Sequence, residues 1–266
     1  MNVSKSGFYE YLKRKPSKLS IENEILSEKI REIFEEHKGR YGTIRITKVL
    51  QDQGIKVNRK RVGKLLHKMG LYAKGSSYKY KHYNRRKSTI NTPNLLNQVF
   101  KTDAKNKVWV GDITYIPTKS GTLYLAVFLD MFTRKVAGWA MDTRMKEALV
   151  TGAFLQACGK ERPSEGLVVH TDQGSQYISS NFQATLRKYG ALHSVSRKGN
   201  PYDNALMESF YKTIKRELIH GANFETPEQA QMEIFKYIET YYNTKRMHSS
   251  LHFKSPVQFE QEILQN

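Results

Sequence analysis

At 266 residues the chain is too long for a peptide-sized binder and long enough for one large domain with a small one beside it. Lysine and arginine number 44 against 25 acidic residues, a formal charge of +19, which points to a polyanionic partner. The lone cysteine, Cys158, excludes an internal disulfide and a cysteine-rich metal cage, and the absence of a long apolar run or a charged-then-apolar leader argues against membrane insertion and standard secretion.

The basicity is regional. Residues 1–107 hold 26 basic and 9 acidic residues, a net of +17, whereas residues 108–266 hold 18 and 16, a net of +2. After an N-terminal segment, residues 1–20, the stretch IENEILSEKIREIFEEH (21–37) places Ile21, Ile25, Leu26, Ile30, Ile33 and Phe34 at helical spacing. A short helix over Ile44, Val49 and Leu50 follows breaks at Gly39 and Gly42 and stops at Gly54. Asn58 can cap a third helix, ended by Gly70, that buries Val62, Leu65, Leu66 and Met69 and keeps Arg59, Lys60, Arg61, Lys64 and Lys68 outside. Three short helices, the last basic on its outer face, predict a small all-α helix-turn-helix-like DNA-binding domain over 21–87. From Lys56 to Lys87 run 12 basic residues and no acid, interleaved with Tyr72, Tyr78, Tyr80 and Tyr83, which supplies charge for phosphates and rings for stacking. The competing reading is an interdomain or merely solvated face. Residues 88–105, weakly periodic and holding a proline, read as a linker.

Residues 106–225 predict an α/β core. Three strands rich in Val, Ile, Tyr, Trp and Phe (107–118, 122–132, 134–142) form a meander whose first turn is Lys119-Ser120-Gly121. A helix from Lys146 to Cys158 follows, with Cys158 in its apolar face, then the apolar strand GLVVHT, a helix from Ser180 to Tyr189, and a fifth strand, ALHSVS. The next helix, after Gly199 and Pro201, gathers Leu206, Met207, Phe210, Tyr211, Ile214 and Leu218 on one arc. Just outside that arc lie Glu208, Lys212 and Lys215. Asp172 ends the fourth strand, where open α/β sheets collect ligands, and Asp112 lies within the first. Either aspartate alone reads as a turn residue or helix cap, and Glu208 alone as a solvated pair with Lys212; three such acids together suggest more. Residues 226–266 form a C-terminal helix and tail, with Thr226 as cap, Pro227 at the first position, Gln229 completing a capping box, and Ile234, Tyr237, Ile238 and Tyr241 as the core stripe.

Asp112, Asp172 and Glu208, separated by 59 and 35 residues, resemble the Asp-Asp-Glu triad of retroviral integrases and bacterial insertion-sequence transposases. VWVGDITYI, HTDQGSQY, SRKGNPYDNALMESFYKTIKRE and YYNTKRMHSSLHFKSPVQF, in that order, look like the transposases whose catalytic part is encoded in the second reading frame of an insertion sequence. The resemblance spans nearly the whole chain. It implies a ribonuclease H-like integrase core, a five-stranded mixed sheet flanked by helices. It also implies two Mg²⁺ ions, with Mn²⁺ as substitute, roughly 4 Å apart on the three carboxylates, promoting cleavage at transposon ends and strand transfer into target DNA without a covalent protein–DNA intermediate. Tyr177, Tyr202 and Tyr211 are then dispensable as nucleophiles.

The resemblance makes Lys215 a contact to terminal DNA, against the reading of an ordinary solvated lysine; the loop 194–204, with Gly199, Pro201 and the adjacent cations Arg197 and Lys198, reads as a mobile cover over the DNA end or as a plain connecting loop, and Lys212 as a further DNA contact. Gln173 is a further contact to weigh, Gly174 serves the tight exit from the strand, and His170, which alternation puts on the face of Asp172, reads either as a neighbour of the metals or, equally, as a buried, hydrogen-bonded core residue. The partners implied are double-stranded DNA at transposon ends and target, a homo-oligomer on that DNA, and no membrane, in a bacterial cytoplasm at the nucleoid. MNVSKSGFYEYLKRKP resembles text found well inside fused transposases, so an upstream-frame helix-turn-helix product, or its fused form, is expected as partner. The alternatives are a metal-dependent nuclease of the same fold, which cuts without joining, and a non-catalytic DNA-binding remnant.

Overall fold

The computed structural model describes residues 4–75, 94–96, 102–196 and 204–265. The chain divides into two compact units, residues 1–77 and 78–266.

In the first unit, α1 (Lys5–Lys13) starts where Ser4 Oγ accepts from Gly7 N, a helix that periodicity over residues 1–20 does not predict. The Ser17 cap starts α2 (Lys18–Glu36) three residues ahead of Ile21. Leu26, Ile30 and Ile33 of α2 are buried, but Ile21 and Ile25 are about half exposed, at 49% and 54%. The mismatch is one of length: 19 residues rise about 28 Å, whereas the 10-residue partners α3 (Thr43–Asp52) and α4 (Arg59–Lys68) rise about 15 Å. In α3 the inward residues are Ile46, Thr47 and Leu50, while the predicted Ile44 is exposed and Val49 only half-buried. Thr47 can lie inside because its hydroxyl donates to the Thr43 carbonyl at 2.7 Å. α4 follows expectation at its cap, its stop and three of its four core residues, but Met69, at the C-cap, is only half-buried and Arg61 turns toward α2 instead of outward. Asn58 Oδ1 accepts from Arg61 N at 2.8 Å, Val62, Leu65 and Leu66 are buried, and Gly70 takes the left-handed conformation (φ 67°) that ends the helix. Each fully buried aliphatic residue of this core, such as Ile30 or Leu50, contributes about 1.5–3 kcal/mol.

The second unit is built on one mixed sheet. Strands β1 (Val108–Thr118), β2 (Gly121–Asp130) and β3 (Val136–Asp142) form the antiparallel meander. After α5 (Glu147–Glu161), β4 (Val168–Thr171) lies parallel to β1; after α6 (Ser175–Ile178) and α7 (Ser180–Lys188), β5 (Leu192–Val195) lies parallel to β4. The order β3-β2-β1-β4-β5 puts β1 at the centre. β2 ends earlier than predicted, because Asp130 Oδ1 accepts from the backbone N–H groups of Phe132 and Thr133 and from the Thr133 hydroxyl, turning Met131 and Phe132 out of the strand. Arg134, in the left-handed region (φ 60°), completes that turn, so β3 begins at Val136 rather than 134. The short α6 is not predicted, and the cap of α7 is Ser179 rather than Ser180.

One face of the sheet, with Trp109 and Phe128, packs on Phe154 and Cys158 of α5 and Phe182 of α7. A side chain at Gly138 would place its Cβ 2.4 Å from the Ala153 carbonyl, so glycine is what lets α5 rest on β3. The alternate residues of β1 turn to the other face, where α8 (Ala205–Ile214) and α9 (Pro227–Tyr237) lie against β1 and β2 respectively.

Beyond Ile214 the chain makes a π-helical turn, Lys215–Ile219. The wider turn advances the side-chain phase, so Glu217 and Ile219 are buried and Leu218 leaves the predicted arc for a half-buried position. Glu217 is held inside by Arg246, whose Nη2 and Nε donate to its carboxylate at 2.7 and 2.9 Å, and by the Tyr237 hydroxyl at 2.8 Å. A second π-helical turn, Ile238–Tyr242, extends α9 and keeps Ile238 and Tyr241 buried with Ile234 and Tyr237, as expected. Asn243 then bridges to β3, its Oδ1 accepting from Val136 N and its Nδ2 donating to Val136 O. The stretch YYNTKRMHSSLHFKSPVQF is thus a clamp that ties the end of the α8 segment to the sheet, closed by α10 (Pro256–Gln265). No described helix is long and apolar enough to cross a membrane.

Candidate active site

The parallel register pairs Val110 with His170 and Gly111 with Thr171, its last pair, and Asp172 follows just past the carboxyl end of β4. By alternation along β1, Asp112 shares the face of Val110. Asp112 is buried at 4% exposure, with Oδ1 accepting from Ile113 N at 2.8 Å. Asp172 is half-buried, with Oδ1 accepting from Gly174 N at 3.0 Å. A Cβ on Gly174 would lie 2.9 Å from that same oxygen, so the tight exit requires glycine for proximity rather than for an unusual φ.

A polar chain beneath Asp172 escapes sequence reasoning. Gln183 Nε2 donates to His193 Nδ1 and to the Tyr177 carbonyl, which leaves the His193 proton on Nε2, facing Thr171 Oγ1 at 3.0 Å. The Thr171 hydroxyl in turn donates to the Asp172 carbonyl at 3.0 Å. Burial, reinforced by the neighbouring His170, pulls the His193 pKa down to about 4. His170 is fully buried with Nδ1 2.8 Å from Ser194 Oγ, the core histidine of the two readings, and Ser194 Oγ also accepts from Leu95 N. Gln173 Nε2 donates to the Ser196 carbonyl at 3.3 Å. Cys158 lies in the core, its thiol pushed up to about 12 by burial.

The third acid lies on α8. Tyr211, buried on that helix, donates its hydroxyl to the Asp112 carbonyl, with the Leu125 carbonyl 3.4 Å away. Glu208 stands one turn before Tyr211, exposed, in the first turn of α8. Among the described residues no three His, Cys, Asp or Glu side chains stand close enough to hold a metal ion. Lys215, half-buried at the end of α8, lies with Nζ 5.1 Å from the Tyr115 ring centroid, and its charge together with burial lowers the His220 pKa. Lys212 is exposed, and Tyr177 is buried.

In the first unit Arg59, Lys60, Lys64 and Lys68 are exposed. Arg61 is turned toward α2, its Nε donating to Asn23 Oδ1 at 2.9 Å and its Nη2 to Glu22 at 3.1 Å. Arg197, Lys198 and Tyr202, like Tyr78, Tyr80 and Tyr83, lie outside the described residues.

Comparison with known proteins matches an integrase core domain at residues 102–201 and again at 208–264, and an HTH-like domain at residues 20–80. The chain is 68% identical over 247 residues, 93% of its own length and 98% of the relative's, to the transposase for insertion sequence element IS904 of Lactococcus lactis. It is 38% identical to transposase InsF for insertion sequence IS3A of Escherichia coli, over 99% of this chain and 92% of that one. A structure of the HTLV-2 integrase catalytic core domain in complex with magnesium aligns with 60% of this chain and 99% of its own, at 22% identity and a TM-score of 0.47. An HTH-like domain ahead of an integrase core with a five-stranded mixed sheet, at this identity over almost the whole length, means that the chain belongs to the insertion-sequence transposases of the IS904 and IS3 kind.

Proposed function

We propose that the chain cleaves DNA at the ends of its insertion sequence and joins the freed 3′ ends to target DNA, with Asp112, Asp172 and Glu208 as ligands of two divalent cations, Mg²⁺ or in its place Mn²⁺. The reading is supported above all by the parallel ladder of β1 and β4, after whose last pair, Gly111 and Thr171, Asp112 and Asp172 each come next in the chain, with α8 tied to Asp112 through Tyr211. Hard carboxylate oxygens suit Mg²⁺ and leave part of its shell for water and phosphate. When bound, such a pair of cations activates the attacking oxygen and stabilises the leaving oxygen of an in-line displacement. Asp112, the most buried of the three acids, would ligate both ions, and Asp172 and Glu208 would ligate one each.

Arg59, Lys60, Lys64 and Lys68 on α4, with Lys212, Lys215, Arg197 and Lys198, hold phosphates, and Arg61 contributes through the α2–α4 junction that it braces. The working assembly is a homo-oligomer on DNA in the bacterial cytoplasm, acting with the upstream-frame helix-turn-helix product or its fused form. The test is incubation of the purified chain, with and without that product, on DNA carrying the element's ends plus Mg²⁺ or Mn²⁺. Cleavage and joining should both appear and both vanish in Asp112→Asn, Asp172→Asn and Glu208→Gln, while DNA binding persists. Full activity in any of the three variants would overturn the assignment, and cleavage without joined product would reduce the protein to a nuclease.

A further inference from the structure

The loop that joins α2 to α3 meets the chain beyond α4 where Lys74 N donates to the Gly39 carbonyl at 2.8 Å. Lys38 and Gly39 are both left-handed there (φ 51° and 70°), and the Lys74 stem runs beside them, its Cγ 3.9 Å from where a Cβ on Gly39 would stand. Aromatic stacking fixes the same loop: the fully buried Tyr41 ring lies on His37 at 3.6 Å between centroids and carries the Arg45 guanidinium 5.4 Å from its centre. Three cations, Lys38, Arg40 and Lys74, are thereby gathered from two stretches of chain. Partial burial, and then the charges of Arg40 and Lys38, hold the Lys74 ammonium below its ordinary pKa, and among the described residues no carboxylate acts on it in return. Lys38 alone reads as a cation that suits the C-terminus of α2. Lys74 has no such helix end to serve, and it brings a third like charge to a place where repulsion costs stability. In the sequence, five more basic residues and no acid follow between Gly75 and Lys87.

We propose that Lys38, Arg40 and Lys74 form a site for one backbone phosphate of duplex DNA, a contact additional to those of the cations on α4. This rests on the reading of the first unit as the DNA-binding part of the chain, and it adds a second point of attachment, carried by two loops rather than by a helix face. A phosphodiester relieves the repulsion among the three cations, its oxygens accepting from two ammonium groups and from the planar guanidinium of Arg40. A phosphate carries no sequence information, so the site sets the position of the unit on the duplex and leaves the choice of bases to other contacts.

The experiment uses the full chain and duplexes carrying the element's ends, in anisotropy titrations over a range of salt. Lys38→Gln combined with Lys74→Gln should bind about fivefold more weakly at about 0.15 M salt and lower the slope of log K against log salt by about 1, the share of one phosphate contact. Its melting temperature should stay unchanged or rise, because like charges have been removed. Lys38→Arg combined with Lys74→Arg should match the wild-type chain in affinity and slope. In a series of duplexes with one neutral methylphosphonate linkage at successive positions, one position should weaken the wild-type chain and leave the Gln variant unaffected. A Gln variant with the wild-type slope, one with wild-type affinity and a lowered melting temperature, or the absence of such a linkage would each overturn the site. So would inorganic phosphate that, at matched ionic strength, displaces DNA from the wild-type chain and not from the Gln variant, since the site would then take the free ion. If the wild-type chain binds DNA with a steep salt dependence and only the loss in the variant is missing, the phosphate site alone fails. If the wild-type chain binds no DNA, the reading of the first unit fails with it.

Discussion

Gly174 carries more of the site than its size suggests. A methyl at this position would stand 2.9 Å from Asp172 Oδ1 and 3.2 Å from Gln176 Oε1, so Gly174→Ala must rotate the carboxylate while leaving the backbone in a conformation that alanine adopts freely. Misplacement of a reacting group by about 1 Å can cost about 100-fold, and a loss of that order in end cleavage with an unchanged melting temperature is expected. His193 bears on pH. Its pKa of about 4 lies below the ordinary 6.5, so the unfolded chain takes up the proton first as pH falls. The stability gained from a neutral His193 is therefore complete above about pH 6.5 and is lost progressively as pH drops toward 4, at up to about 1.4 kcal/mol per unit. Denaturant titrations of the wild-type chain and of His193→Asn between pH 7 and 4.5 should show a shallower pH dependence in the variant. Cys158, buried with its thiol pushed up to about 12, should resist alkylation at pH 8 in the native chain and react once the chain is unfolded in denaturant.

At the scale of elements, the α8 segment is held at both ends by features outside its own periodicity. Tyr211 joins it to β1, and the buried pair of Glu217 and Arg246 joins the π-helical turn to the C-terminal clamp. Removing one member of such a pair strands the other charge in the interior. Arg246→Met should therefore cost about 3–5 kcal/mol in denaturant unfolding, and Arg246→Met combined with Glu217→Leu should recover most of that loss. The arc Leu206, Met207, Phe210, Tyr211 and Ile214 is legible from spacing because an α-helix repeats faithfully; Leu218 misleads because the chain departs from the α-repeat immediately after Ile214. Nothing local announces that departure. Its cause lies at Arg246, 29 residues beyond Glu217.

For the whole molecule, the net charge of +17 over residues 1–107 against +2 over residues 108–266 assigns the salt dependence of DNA binding to the first part of the chain. Replacing Arg59 and Lys60 together by Ala should weaken binding to all sequences and lower the slope of log K against log salt by about 2, since each phosphate contact contributes close to one. An unchanged slope in anisotropy titrations would remove α4 from the interface. The order of strands and helices in the second unit could be read from the chain, because apolar runs, turn residues and glycine stops are local properties. By itself the sequence determined which segments become strand or helix, where the positive charge resides, and to which family the motifs correspond. Only the tertiary structure decided that β4 runs parallel to β1 with Gly111 against Thr171, that Ile21 and Ile25 remain exposed, and that Glu217 turns inward. These depend on strand register, on the relative lengths of packed helices and on a buried ion pair, each a relation between residues distant in the chain that no local pattern encodes.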